Sequence, residues 1–186
     1  MGLGRRIIDM DYNILVDAEL DRVEWVAVQQ ASGSAETVPR SFKELLAASN
    51  EDEVKRAYWK LENHVVVQGR LYEAAIHLVP AICAALVDPG RTRLTRTWLM
   101  ELLFQICNGY HVPSSNSTVN PPDIAKRCKD AARNALWILY GDMVRQEIKI
   151  VENLIALLEL DPLRLSLIRK RIPNYKAPDW STNQSR

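Results

Sequence analysis

Apolar residues recur every three to four positions along most of the chain, and glycine, proline and amide-rich stops interrupt the recurrence. That period belongs to amphipathic helices. Val16 to Gln30 reads as a first helix, with Leu20, Val23, Val26 and Ala27 on one side, ended by Ser32-Gly33-Ser34. Pro39 sits where a first helical turn tolerates proline, and Phe42, Leu45 and Leu46 make a short second stripe. Asn50 is placed to cap a third helix, with Glu51, Asp52 and Glu53 against its positive end and Val54, Ala57, Tyr58, Leu61 and Val65 along one face. The β-branched run Val65-Val66-Val67 is read as the buried last turn of that helix, stopped at Gly69. From Arg70 the stripe resumes through Leu71, Ala74, Leu78, Ile82 and Leu86, with Pro80 inside it, and Asp88-Pro89-Gly90 turns the chain. Leu94, Trp98, Leu102 and Ile106 mark the next helix, which Asn108-Gly109 stops. A long irregular stretch, Tyr110 to Pro122, precedes a helix over Ile124 to Leu139 that Gly141 breaks or bends. Val144, Ile148, Val151, Ile155 and Leu158 form another stripe, and Asp161-Pro162 opens a last one over Leu163, Leu167, Ile168 and Ile172. The pattern predicts an all-α domain of about eight helices over residues 1–173, with a polar tail over 174–186.

Two segments line up forty residues apart. AYWKLENHVVVQG (Ala57 to Gly69) and TWLMELLFQICNG (Thr97 to Gly109) each carry an aromatic near the start and an amide-glycine stop at the same offset. A period of about 40 to 47 residues is that of HEAT-type helical hairpins, which bury their apolar faces by stacking on one another.

The run VPRSFKELLAASNEDEVKRAYWKLENHVVVQGRLYEAAIHLVPAICAALVDP, Val38 to Pro89, resembles bacterial HEAT-like proteins. The features shared are a Val-Pro start, an amide-Gly turn, a Glu-Ala-Ala helix and a mid-helix Val-Pro; the likeness continues more loosely through LMELLFQICNGY to Tyr110. It implies an α-α superhelix of antiparallel helical hairpins. Some such proteins look like immunity proteins of bacterial toxin systems, so the resemblance implies a partner toxin or effector domain that the chain binds and neutralises.

Composition changes this picture little. At 186 residues the chain can bury roughly 70% of the surface it would expose unfolded, so its core needs no disulfide or metal. Twenty-four Lys and Arg balance 23 Asp and Glu, which removes a global pull toward nucleic acid or membrane. Arg5-Arg6 is followed by Ile7-Ile8-Asp9, so no secretion-signal core develops, and no run is long enough to span a bilayer. Three scattered cysteines, Cys83, Cys107 and Cys128, fit buried free thiols in a reducing compartment, and the expected location is the cytoplasm.

Candidate chemistry is sparse. Glu73 and His77 lie four apart on one helix, with Glu62 and His64 just before the preceding turn, a set that would suit a small metal-dependent hydrolase. No His-Glu-x-x-His pair, Gly-x-Ser-x-Gly elbow or Cys-His signature accompanies them, so the reading is of polar residues beside a helical turn, with no catalytic residue, metal or cofactor. A second alternative places Arg91, Arg93, Arg96, Lys126, Arg127, Lys129 and Arg133 along one basic face for nucleic acid.

Charge is polarised along the chain. Between Asp9 and Glu24 six acids face one base, whereas Arg164, Arg169, Lys170, Arg171 and Lys176 have no acid among them. Each run is either a solvated face or a steering surface for a partner of opposite sign. Trp98 and Trp137 sit among apolar helix residues and read as core, while Trp59 is a candidate for a groove margin; Tyr72 and Tyr110, each beside a glycine turn, are packing caps or contact residues. The leading expectation is a non-catalytic protein-binding module. Its partner-contact candidates are Asp17, Glu19, Asp21, Glu24, Trp59, Glu62, Tyr72, Glu73, Tyr110 and His111.

Overall fold

The helix that the sequence marks best forms as the residues dictate. In a computed structural model, which describes residues 11–111, 123–145, 148–173 and 175, α3 spans Glu51–Val65. The Asn50 side chain accepts the Glu53 backbone N–H at 3.0 Å, and the Glu53 carboxylate reaches back to the backbone N–H and hydroxyl of Ser49. Two otherwise orphaned donors at the helix start are thus satisfied. Val54, Ala57, Tyr58, Leu61 and Val65 are buried along its inner face.

Beyond α3 the chain departs from the expected last helical turn. Val65 closes the helix, but Val66–Val67 (β1) pairs antiparallel with Arg70–Leu71 (β2). Gln68 and Gly69 both take left-handed backbone angles, φ 50° and 78°, the requirement of the two-residue turn that matches strand twist. Gln-Gly is therefore a hairpin turn rather than a helix stop.

The chain then runs back as α4, Glu73–Val87, which continues through Pro80 and buries residues almost all round, including Ile76, Leu78, Val79, Ile82 and Leu86. Such a helix must lie inside the fold. α5, Arg93–Asn108, returns, capped by the Thr92 hydroxyl on the Thr95 N–H. Its far end meets the hairpin. Tyr110 N–H donates to the Gly69 carbonyl at 2.7 Å and the Tyr110 carbonyl accepts from Leu71 N–H at 2.8 Å. A Cβ on Gly109 would fall 2.7 Å from Leu71 Cδ2 and 3.0 Å from the Gly69 carbonyl, so only glycine lets the two segments approach. At the opposite end the rings of Tyr58 and Trp98 pack 4.8 Å apart. α3 and α5 therefore lie side by side and parallel, with residues forty apart in sequence meeting at both ends.

Around this pair the helices fall into two rows. α2 (Val38–Ala47) packs on α3, α3 on α5, and α5 on α8 (Ile150–Leu158); α1 (Asn13–Asp21) packs on α4, and α4 on α6 (Ile124–Ala132). A 3-10 turn over Arg133–Ala135 joins α6 to α7, Leu136–Arg145. The irregularity thus falls there rather than at Gly141, which α7 runs through. α9, Pro162–Arg171, is capped by Asp161. One continuous core collects Phe42, Leu45, Leu61, Leu71, Leu78, Ile82, Leu99, Met100, Leu103 and Ile155. The protein is all-α apart from the two-residue strands, and among the described residues no helix is long and apolar enough to cross a membrane.

The first helix is shorter than its stripe suggested: α1 ends at Asp21, and residues 22–35 turn across the ends of α3 and α4. The Trp25 indole N–H donates to the Leu20 carbonyl at 2.8 Å, and Gln29 clamps the start of α4 in both directions, its N–H to the Glu73 carboxylate and its carbonyl from Ala74 N–H. Ala31 N–H adds a bond to the His64 carbonyl. Burying Trp25 and satisfying these backbone groups outweighs the weak helical preference of the segment.

A buried ion pair ties the turn after α4 to α7. Arg96, inside the first turn of α5, donates to the Leu86 and Asp88 carbonyls and to the Asp142 carboxylate, whose other oxygen takes Arg145.

Candidate functional site

The residues singled out from sequence separate into three places. On the outer face of α3 and α5, Trp59 stands half exposed against the edge of Tyr58, 5.3 Å between ring centres, and Tyr58 in turn packs on Trp98. Burial, and then the carboxylates of Glu101 and Glu62, push the Tyr58 hydroxyl well above its ordinary value. Burial also lifts the Glu62 carboxyl. This is an aromatic ridge with an acidic margin.

At the hairpin end, the Arg70 guanidinium sits 5.5 Å over the Tyr72 ring, and the exposed Tyr110 ring lies against Gly69. His111 is half-buried beside it; the rest of the 110–122 stretch, like most of the 174–186 tail and Trp180, is outside the described residues. The acids of the first helix make the third group. Asp17 pairs with Lys43 at 2.8 Å and Glu19 with Arg22, while Asp21 and Glu24 are exposed on the same segment. An open depression between α1 and α2 is lined by Asn13, Val16, Asp17, Lys43, Leu46 and Arg91, but Asp17 and Lys43 hold each other and Arg91 donates to Asn13.

Glu73 has a structural task. Its carboxylate accepts the Gln29 N–H at 3.1 Å. His77, four residues on, presents its ring edge-on to Trp25 at 6.3 Å, and burial holds its pKa below the usual imidazole value. Among the described residues no group of three or more His, Cys, Asp and Glu is placed to hold a metal ion. The three thiols are buried and free; burial raises all three, Cys83 and Cys128 to about 12, which leaves them poor nucleophiles.

Four of the seven bases grouped as a candidate nucleic-acid face have partners within the chain. Arg96 is buried on Asp142, Arg91 faces Asn13 and Asp88, and Lys126 and Arg133 share Asp130. Each is engaged within the fold.

One surface was missed from sequence. Trp137, expected in the core, is 71% exposed, and it stands with Leu160 at 75% and Leu163 at 64% near the α7–α9 corner. The Arg164 guanidinium lies 5.6 Å over the Trp137 ring and pairs with Glu159, which also accepts the Tyr140 hydroxyl at 2.7 Å and the Asp161 N–H at 2.8 Å. Burial raises the Glu159 carboxyl, but these hydrogen bonds and Arg164 outweigh it and hold the pKa below the usual range. Leu163 and Leu167 follow the same helical period as the core, so periodicity alone marks them as buried. Nothing in one stripe says that its helix is the last one.

No protein-family model, curated protein or solved structure matches this chain.

Proposed function

We propose that this chain is a non-catalytic protein-binding module, a HEAT-like stack of helical hairpins that acts as an immunity-type inhibitor, gripping a toxin or effector domain of the bacterial cytoplasm. The reading is carried by one observation: aromatic and acidic side chains stand on paired, rigidly packed helices, Trp59 and Glu62 beside the Tyr58–Trp98 contact, with Tyr72 and Tyr110 at the hairpin end. Tyrosine and tryptophan on a rigid scaffold supply contact area at small entropic cost, and acids beside them steer a basic partner. The side-by-side fit of segments forty residues apart supports the stacked-hairpin part of the proposal. The likeness of Val38 to Pro89 to HEAT-like immunity proteins supports the inhibitor part.

The test begins with tagged chain purified from its native host and identification of the protein that accompanies it. That protein, produced alone in a heterologous bacterium, arrests growth, and co-production of the chain relieves the arrest. Trp59→Ala weakens the complex at least tenfold without shifting the melting temperature. Absence of a stable partner, or a partner harmless on its own, defeats the inhibitor reading.

A further inference from the structure

Among the described residues, α1 and α9 each leave apolar side chains uncovered. On α1, Ile14 and Leu15 are exposed while Val16 and Leu20 face α4; on α9, Leu163 and Leu167 are exposed while Leu165 is buried, with Leu160 and Trp137 alongside. Exposed apolar side chains clustered on one helix face are surface that association buries. Both helices carry such a face.

Their charges are opposite. From Asp11 to Glu24 five acids meet one base, and α9 carries Arg164, Arg169, Lys170 and Arg171 without an acid. Internal pairs remove Asp17, Glu19, Arg164 and Arg169, the last bound to Glu152. Exposed Asp21 and Glu24 are left at one end and exposed Lys170 and Arg171 at the other.

Their spacing also matches. Ile14, Ala18 and Asp21 fall at i, i+4 and i+7 on one exposed face of α1, and Leu163, Leu167 and Lys170 fall at i, i+4 and i+7 on one exposed face of α9. Laid parallel, the faces put Leu163 against Ile14, Leu167 over the small Ala18, and Lys170 opposite Asp21.

We infer that the chain associates with itself head to tail, the α9 face of one copy seated on the α1 face of the next. A parallel symmetric pairing of α9 on α9 would set Lys170 and Arg171 against their own copies, and α1 on α1 would do the same with Asp21 and Glu24; an antiparallel symmetric pairing would set Lys170 against Leu163, or Asp21 against Ile14, and leave each charge without an opposite partner, which only the head-to-tail contact supplies. The head-to-tail contact is heterologous, so it produces a ring or an open assembly. It uses surfaces other than the Trp59 ridge and stands independently of the inhibitor reading.

Sedimentation velocity on the full chain, from about 1 to 300 μM, reads the assembly directly, at low salt and at about 0.5 M salt, where charge pairing is screened. The expected result is a mass above that of the monomer that grows with concentration and falls with salt. Leu163→Asp returns the chain to monomer; Leu160→Asp, on the same patch, replaces it if circular dichroism finds α9 disturbed. Lys170→Asp alone weakens association about tenfold or more, the ratio that 1.4 kcal/mol represents. Asp21→Lys in the same chain restores it. A chain monomeric throughout, an assembly indifferent to the leucine variants, or a loss at Lys170→Asp that Asp21→Lys fails to recover overturns the inference, the last by pointing to a symmetric α9 contact.

Discussion

Replacing Asp142 with alanine removes the only anion beside the buried Arg96 guanidinium among the described residues, and the cost depends on what each partner has left. Arg96 keeps the Leu86 and Asp88 carbonyls at 3.0 and 3.1 Å but remains a buried charge without a counterion. Arg145 is exposed and simply turns to water. Breaking one side of a buried pair costs about 3–5 kcal/mol, and the two retained carbonyls place Asp142→Ala near the low end. Arg96→Met costs more, because Asp142 loses its buried partner and both carbonyls at the end of α4 lose their donor, at about 1–3 kcal/mol for each group left dry. The double variant Arg96→Met, Asp142→Ala removes both charges at once, so its loss is smaller than the sum of the two single losses by about 2 kcal/mol or more. For a chain of this size each kcal/mol moves the melting midpoint by about 2–4 °C, so Asp142→Ala lowers it by roughly 6–12 °C. Urea melts followed by circular dichroism measure all three. Asp142→Ala within about 0.5 kcal/mol of the parent, or single losses that simply add in the double variant, would refute the reasoning.

Other consequences are local. Gly109→Ala drives a methyl into Leu71 and the Gly69 carbonyl and destabilises by about 1–3 kcal/mol, whereas Gly33→Ala, with open space around it but φ at 82°, loses only the backbone term of about 1–2 kcal/mol; equal melts for Gly109→Ala and parent would show that the hairpin and the end of α5 are not in contact. At pH 8 on the order of one in ten thousand of the Cys83 and Cys128 thiols is ionised, so a chromogenic disulfide reagent titrates no thiol of the native protein within minutes and all three in denaturant, and rapid native reaction contradicts their burial. His77 and Glu159 both have folded pKa values below their unfolded ones, so each contributes stability that is complete above the unfolded value, about 6.5 and 4.3, and is lost as pH falls through the folded value. His77→Gln therefore flattens the decline in melting temperature between pH 7 and 5, and Glu159→Gln flattens it only below about pH 4.5; an unchanged profile for either removes that group from the acid limb.

What the sequence made legible was local. Asn50, Pro39, Asp161 and the stripes of α3, α4 and α5 declare themselves because caps and helical periods are short-range signals. The failures share a different cause. Residues 22–30 carry a passable helical stripe, yet Gln29 is bound to residues 44 and 45 positions away, a gain that no window of the sequence contains. Val66 and Val67 became strand because Gln68 accepted a left-handed conformation that its residue type does not advertise. Trp137 on α7 and Leu163 and Leu167 on α9 have the spacing of core residues, but among the described residues no element covers them. Arg96, grouped with six other bases as a candidate basic face, is drawn inward by Asp142, 46 residues distant.

The frame around Trp137 argues that the α7–α9 corner is built for contact. A large exposed indole normally samples several rotamers, and fixing it on association costs about 0.5–1.5 kcal/mol. Here Arg164 lies over one side of the ring, and Arg164 is itself anchored by Glu159, which Tyr140 and the Asp161 N–H hold in turn. Each link is modest because Arg164 is 40% exposed, but the chain of links restricts the indole before any partner arrives. Arg164→Ala should therefore leave the core intact and cost about 1–2 kcal/mol, because Glu159 loses its cation but keeps the Tyr140 hydroxyl and the Asp161 N–H, while Trp137 emission depolarises faster. Self-association should weaken about threefold to tenfold, the equivalent of the ordering cost returned. Time-resolved anisotropy, with Trp59 replaced by phenylalanine and Trp180 by tyrosine so that Trp137 is the one exposed tryptophan among the described residues, separates the two motions. Should Arg164→Ala leave the anisotropy decay as it was, the guanidinium does not hold the ring and the corner is merely an uncovered end.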